Sequence, residues 1–313
     1  MHEVLGGHAV WAWTLFNLLI LGLLALDLFV LNRRAHEVSF REAVVWNVVW
    51  TAVGLSFAAA IPFLYQEASS EMALQYLTGY VIERALSIDN IFVFLVVFRY
   101  FAVPPIYQRG VLYWGILGAL VMRAVLILAG AALVARFHWV LYLFGAFLVY
   151  SGIALLLKRD EDPHPERNPV VRLARRFLPV LPTLEGGKFF ARRDGRLMAT
   201  PLFLVLLVVE TTDLVFALDS IPAIFAVTQD PFIIYTSNVF AILGLRAMYF
   251  LLAALLPKFI YLKHGLSAVL VLVGARMLLE HWVDFPTAAM LLTVTAVLGG
   301  SILASIASSR RLR

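Results

Sequence analysis

The sequence predicts an all-α membrane protein of about nine transmembrane helices, with spans three to five and six to eight forming two inverted three-helix repeats. Three observations carry this reading. The 313 residues are 62% hydrophobic and 14% charged, with a mean hydropathy of +0.89, whereas a soluble domain has roughly 45–50% apolar and about 25% charged residues. Nine stretches approach the length of about 20 mostly apolar residues that a helix needs to cross the hydrocarbon. The connections between them alternate in Lys and Arg, rich and poor in turn, with only Arg136 in the connection after span four.

Span one, 9–31, begins within ten residues of Met1 without a basic n-region or an Ala-x-Ala site, and reads as a retained helix rather than a cleaved signal. Near its end lies Asp27, six residues before Arg33, where an ion pair at headgroup level is as good a reading as a role in a site. Span two covers 42–65. Span three, 72–98, contains Glu83-Arg84-Ala85-Leu86-Ser87-Ile88-Asp89-Asn90. Span four, 108–134, carries Arg123, and span five covers 137–157. Span six, 199–226, holds Glu210, Asp213, Asp219, Ser220 and Pro222. Span seven, 232–256, holds Asn238 and Arg246; spans eight and nine cover 261–281 and 286–307. Asn17, Asn47 and Asn238 suit interhelical hydrogen bonds. Trp11, Trp13, Trp46 and Trp50 suit an aromatic belt at the interface.

Arg33, Arg34 and Arg41 follow span one, whereas 66–71 has no basic residue. Arg99 and Arg109 bracket the next loop, ten Lys and Arg fall in 158–198, and Arg310, Arg311 and Arg313 close the chain. The positive-inside rule then puts the N-terminus outside and the C-terminus in the cytoplasm. The whole chain, 1–313, reads as a single transmembrane domain: a first repeat over 72–157, a cytoplasmic loop over 158–198 and a second repeat over 199–281. The loop, mixed in charge and rich in proline, reads as a linker resting on anionic headgroups. The absence of cysteine removes disulfides, thiol catalysis and thiolate metal sites.

The repeat rests on matched residues. Asp89-x-x-Phe92 answers Asp213-x-x-Phe216, Ile116-Leu117-Gly118 with Arg123 answers Ile242-Leu243-Gly244 with Arg246, and Gly152 answers Gly274. Asp89 to Arg123 is 34 residues and Asp213 to Arg246 is 33. Each unit has an odd number of spans, so the second copy is inverted. Inverted repeats with a polar midplane site recur in secondary transporters.

A charge at the middle of a membrane helix costs about 2.5–3.5 kcal/mol on insertion scales. Spans three and six accept that cost repeatedly. Glu210 and Asp213 are neighbours on a helix surface, whereas Asp219 points elsewhere on a regular helix. Pro222 is expected to kink or unwind the chain around 218–221, freeing carbonyls. Carboxylates, hydroxyls, amides and free carbonyls make an all-oxygen site, suited to Mg²⁺, Ca²⁺ or Mn²⁺. Six acids (Asp27, Glu83, Asp89, Glu210, Asp213, Asp219) against three arginines (Arg84, Arg123, Arg246) leave a surplus of three negative charges, which calls for protons or a cation. The expected metal ligands are Glu83, Asp89, Asn90, Glu210, Asp213 and Asp219. Asp27, Ser220, Arg123, Arg246 and Asn238 support them, the arginines by pairing with carboxylates.

These motifs resemble the TerC/Alx family of bacterial membrane proteins. The likeness runs through Ala25-Leu26-Asp27-Leu28, Arg34-Ala35-His36-Glu37-Val38-Ser39, the Glu83 to Phe94 run, and Glu210 to Tyr249, which includes Phe216-Ala217-Leu218-Asp219-Ser220-Ile221-Pro222-Ala223-Ile224. It implies a transporter of the LysE type in the bacterial cytoplasmic membrane, with Mn²⁺ export and links to alkaline or tellurite stress, and with acidic motifs on Glu83, Asp89, Glu210, Asp213 and Asp219. The residues themselves reach only a divalent cation with oxygen ligands. The expected function is therefore export of a divalent cation, Mn²⁺ first, exchanged for protons. The metal is substrate, with no permanently bound cofactor; the other partners are protons and the bilayer, not nucleic acid. The alternative is a non-transporting scaffold in envelope or tellurite stress resistance. An intramembrane aspartyl protease is disfavoured, because the Gly-x-Gly-Asp context is absent. Oligomeric state stays open.

Overall fold

The computed structural model describes residues 10–27, 38–65, 69–157, 169–193, 195–255, 261–280, 282–283 and 285–311. Helices dominate because hydrocarbon offers no hydrogen bonds, so a crossing backbone must satisfy itself within each segment. The order is α1 (Val10–Leu26), α2 (Phe40–Phe57), α3 (Ile61–Leu64), α4 (Ser69–Tyr100), α5 (Pro105–Arg136), α6 (Val140–Leu157) and α7 (Pro169–Phe177). A hairpin of β1 (Phe190–Arg193) and β2 (Arg196–Ala199) follows, then α8 (Pro201–Phe225), α9 (Pro231–Leu243), α10 (Leu245–Leu255), α11 (Leu262–Leu279) and α12 (Thr287–Arg311).

Local chemistry sets several starts. Ser39 caps α2 by accepting from the Glu42 N–H at 3.2 Å. Asp230 caps α9, accepting from Phe232 and Ile233 N–H at 2.8 and 3.2 Å. Pro105, Pro201 and Pro231 each occupy a first-turn position, where the missing N–H is not needed. All nine expected stretches contain helix, but the second is interrupted at 58–60, the fifth becomes helical only at Val140, and the seventh is broken at Gly244. Among the described residues, six candidate spans are long and apolar enough to cross a bilayer, α2 and α3 together counting as one, or seven if α9 and α10 form one bent span, short of the expected nine. Within the described residues α1 is shorter, with 17 residues, and α4 is long but charged.

Two expectations about helix continuity are corrected. Helix α8 runs unbroken through Pro222 to Phe225, so the unwinding expected at 218–221 does not occur. Pro222 is three residues from the helix end, where little ladder remains to be lost. The break falls instead in expected span seven, where α9 and α10 meet at Gly244 with a bend of 42°. The guanidinium of Arg84 fills the space that a Gly244 side chain would occupy.

The expected linker 158–198 is also more than a linker. From Pro169 onward it folds into α7 and the hairpin, whose register pairs Phe190 with Ala199 and Arg193 with Arg196. Gly195 turns the hairpin at φ +73°, a conformation that glycine adopts without penalty. The first part of the loop, 158–168, lies outside the described residues.

The packing is organised by pairs. Helix α6 lies along α11 in the most extensive interface, α4 packs on α9 and α8, and α5 packs on α8 and α9. The α6–α11 approach is close because Gly145 faces the Gly274 carbonyl and Gly152 faces the Ser267 carbonyl. Ser267 Oγ donates to the Gly152 carbonyl at 2.5 Å. The core includes α9 along its whole length, together with the inner faces of α4, α8 and α11. Outward positions such as Val121, Val125, Leu292 and Leu303 are exposed and apolar, as a lipid-facing surface requires. Of the four tryptophans expected in a belt, Trp11 faces outward, but Trp50 is buried and Trp13 stacks on Tyr235.

A candidate midplane carboxylate site

Arg123, on α5, organises the centre. Its side chain is 1% exposed, and a bare guanidinium there would be prohibitively costly. It is matched accordingly. Nε and Nη2 donate to Asp213 Oδ2 and Oδ1 at 3.1 and 3.0 Å, a bidentate fork. Nη1 donates to Glu83 Oε1 of α4, to Ser220 Oγ at 3.3 Å and to Asn238 Oδ1 of α9 at 3.4 Å. Asn90 Nδ2 adds a further donor to Asp213 Oδ1 at 3.3 Å. Four helices are thereby tied through one cation.

Beside this cluster lies a cavity of about 50 Å³, lined by Glu83, Asp89, Asn90, Ser151, Asp219 and Ser220 with apolar residues that include Leu86 and Phe216. At about 10–15 Å³ for each water-sized occupant, it holds a few waters or a partly hydrated ion. Ser151 of α6 donates to Asp219 Oδ1 at 2.7 Å. Glu83 Oε2, Ser87 Oγ and Asn238 Nδ2 are buried without a hydrogen-bond partner. Buried polar atoms are normally satisfied, but of these three residues only Glu83 lines the cavity, so only its Oε2 is placed to meet an occupant there. Among the described residues, no three His, Asp or Glu side chains are placed as a ready-made metal cage. Arg123 bridges Glu83 and Asp213.

The structure thus divides the expected ligands. Glu83, Asp89, Asn90, Asp219 and Ser220 share the cavity, and Asp213 joins it through Asn90 and Arg123. Glu210 is elsewhere. Its carboxyl lies against Gly118 of α5, in a groove that also includes Trp114, Val121, Val125 and Leu214. Asp27 and Arg246 form their own buried pair at 2.5 Å, between the end of α1 and α10. The Asp27–Arg33 alternative falls on Arg33, outside the described residues. Arg84 was counted among cations available to the acids, but its guanidinium donates to neutral acceptors: Asn47 Oδ1 at 2.5 Å, Thr51 Oγ1 at 3.0 Å and the Ala241 carbonyl at 3.4 Å. Sequence reasoning missed Ser151, since one serine in an apolar span carries no signal by itself.

Comparison with known proteins agrees with the family resemblance. Residues 68–313 match the model of the integral membrane protein TerC family. An uncharacterised membrane protein of Myxococcus xanthus is 50% identical over 298 residues, 95% of this chain and 92% of its own. The Alx protein of Salmonella typhi, whose name describes a membrane-bound redox modulator in prospect, is 45% identical over 91% of both chains. Its Escherichia coli K12 namesake is 44% identical over the same shares. No solved structure matches. An all-helical, multi-pass chain with buried charges on its central helices, matched by the family model from 68 to its last residue, is a member of the TerC family of integral membrane proteins.

Proposed function

We propose that the protein moves a hard divalent cation across the bacterial cytoplasmic membrane, Mn²⁺ being the ion that the family resemblance implies, and that Asp89, Asp219 and Glu83 form its stopping place. One observation carries the reading: three carboxylates from α4 and α8 line a single cavity that could hold a partly hydrated ion. Oxygen ligands suit Mn²⁺, Mg²⁺ and Ca²⁺, and the smaller ions keep part of their water shell. Arg123 acts as the resident counter-charge, holding Glu83 and Asp213 while the cavity has no cation. An arriving ion competes for Glu83, whose Oε2 has no partner within the protein.

The packing supports alternating access. Helices α4 and α5 of one matched unit pack on α9 and α8 of the other, and α6 packs on α11, as an inverted pair related by an approximate twofold would. The N-terminus outside and export as the direction of transport belong to the same proposal. A redox role, suggested by the Alx name, would need a group other than a thiol, since the sequence has no cysteine.

Uptake of Mn²⁺, Mg²⁺, Ca²⁺ and Zn²⁺ into proteoliposomes, with and without a pH gradient, tests the reading. Mn²⁺ should move, and Asp219→Asn should abolish movement while leaving the unfolding temperature near that of the parent chain. If no divalent ion moves under any gradient, or Asp219→Asn transports normally, the carboxylates are structural, and the scaffold reading replaces this one.

A further inference from the structure

The segment from Pro169 to Thr200 does not cross the membrane, yet it exposes large apolar side chains. On α7, Leu173 and Phe177 are four residues apart and share one face, 56% and 72% exposed. Arg172 and Arg176 share the adjoining face, also exposed. Val171, 1% exposed, pins the helix to the core around Leu202 and Leu204 of α8. The order of faces is therefore core, basic, apolar, which is how a helix lies along a bilayer surface. The hairpin continues the pattern, with Leu197 exposed among Arg192, Arg193 and Arg196. Over 169–200 the sequence has seven Lys and Arg against two acids, Glu185 and Asp194.

Behind α7 is an open groove of about 620 Å³ whose residues include Phe101, Leu178, Leu181 and Leu204, polar and apolar atoms sharing its surface. Arg175 is the only cation among the described residues that line it. Its walls include the end of α4 and the start of α8, so it opens where helices enter and leave the bilayer.

We infer that α7 and this groove form a binding site for an anionic phospholipid, its phosphate held by Arg175 and Arg176 and its acyl chains along Leu173, Phe177 and the groove wall. An acidic protein or a nucleic acid would match the arginines but would leave Leu173 and Phe177 in water. The inference is independent of any transport activity.

The absence of cysteine makes the test direct. Full-length Phe177→Cys, labelled with an environment-sensitive fluorophore, is placed in nanodiscs of phosphatidylethanolamine with either phosphatidylglycerol or phosphatidylcholine. In phosphatidylglycerol the probe should shift to the blue, be quenched by nitroxide-bearing lipid and resist aqueous iodide. Combining it with Arg172→Gln, Arg175→Gln and Arg176→Gln should shift the balance towards iodide exposure by on the order of 100-fold, about fivefold for each arginine near an anionic surface. An unchanged unfolding temperature separates this loss from misfolding. Equal iodide quenching in both lipids would overturn the inference. Equal lipid protection in both, unchanged by the three substitutions, would overturn the recognition of the phosphate.

Discussion

At the scale of single residues, Arg123 has the most at stake. Removing one partner from a buried ion pair strands the other and costs about 3–5 kcal/mol. Arg123→Met strands Glu83 and Asp213 together, so it should lower stability at least that far, read as a fall in unfolding temperature in detergent. Arg123→Lys keeps the charge but cannot make the bidentate fork on Asp213, and should fall between the two. Glu210 and Gly118 give a second test. A methyl at Gly118 would run into the Glu210 carboxyl, the far end of a flexible side chain that can swing aside, so Gly118→Ala should change stability by less than about 1 kcal/mol, helix propensity offsetting the shift. A larger loss that Glu210→Ala relieves in a double-mutant cycle would show instead that the carboxyl is held in place. Insertion cost made Glu83, Asp213 and Arg123 legible in the sequence, because so expensive a set of residues must be partnered. The separation of Glu210 was not legible. Its three-residue spacing puts it beside Asp213 on α8, but only the packing of α5 decides which of the two meets Arg123.

At the scale of elements, the α6–α11 seam depends on missing side chains. A Cβ at Gly274 would stand 2.7 Å from the Gly145 carbonyl oxygen. Gly274→Ala should therefore destabilise by about 1–3 kcal/mol. Gly299 of α12 has nothing within 4 Å of that position, so Gly299→Ala should gain up to about 1 kcal/mol from helix propensity alone. Opposite shifts in unfolding temperature for these two substitutions would separate packing from propensity. Apolar length made the helices legible, and loop charge made their spacing so. Breaks were less so: Pro222 carries the stronger local signal, but α8 continues through it, whereas α9 and α10 part at Gly244, where Arg84 presses in. In the hairpin, Asp194-Gly195 was a readable turn pair, obscured by the prolines and mixed charge around it.

At the scale of the whole molecule, the central cluster joins residues far apart in the chain. Glu83 precedes Arg123 by 40 residues, whereas Asp213 follows it by 90. This separation sets a timetable for synthesis, since the N-terminal part of a chain emerges and inserts first. When α5 enters the bilayer, Arg123 can already be neutralised by Glu83 on α4, but Asp213 has not yet been made. On that order Glu83 is expected to act as a chaperone within the chain for an arginine that would otherwise enter lipid alone, at about 2.5–3.5 kcal/mol. Glu83→Gln should then lower the fraction of nascent chain in which α5 is integrated, measured by glycosylation mapping on a truncation ending before Asp213. Asp213→Asn should leave that fraction unchanged and act only after the second half has arrived. The same two carboxylates that hold one guanidinium in the finished protein would then answer to different moments in its making.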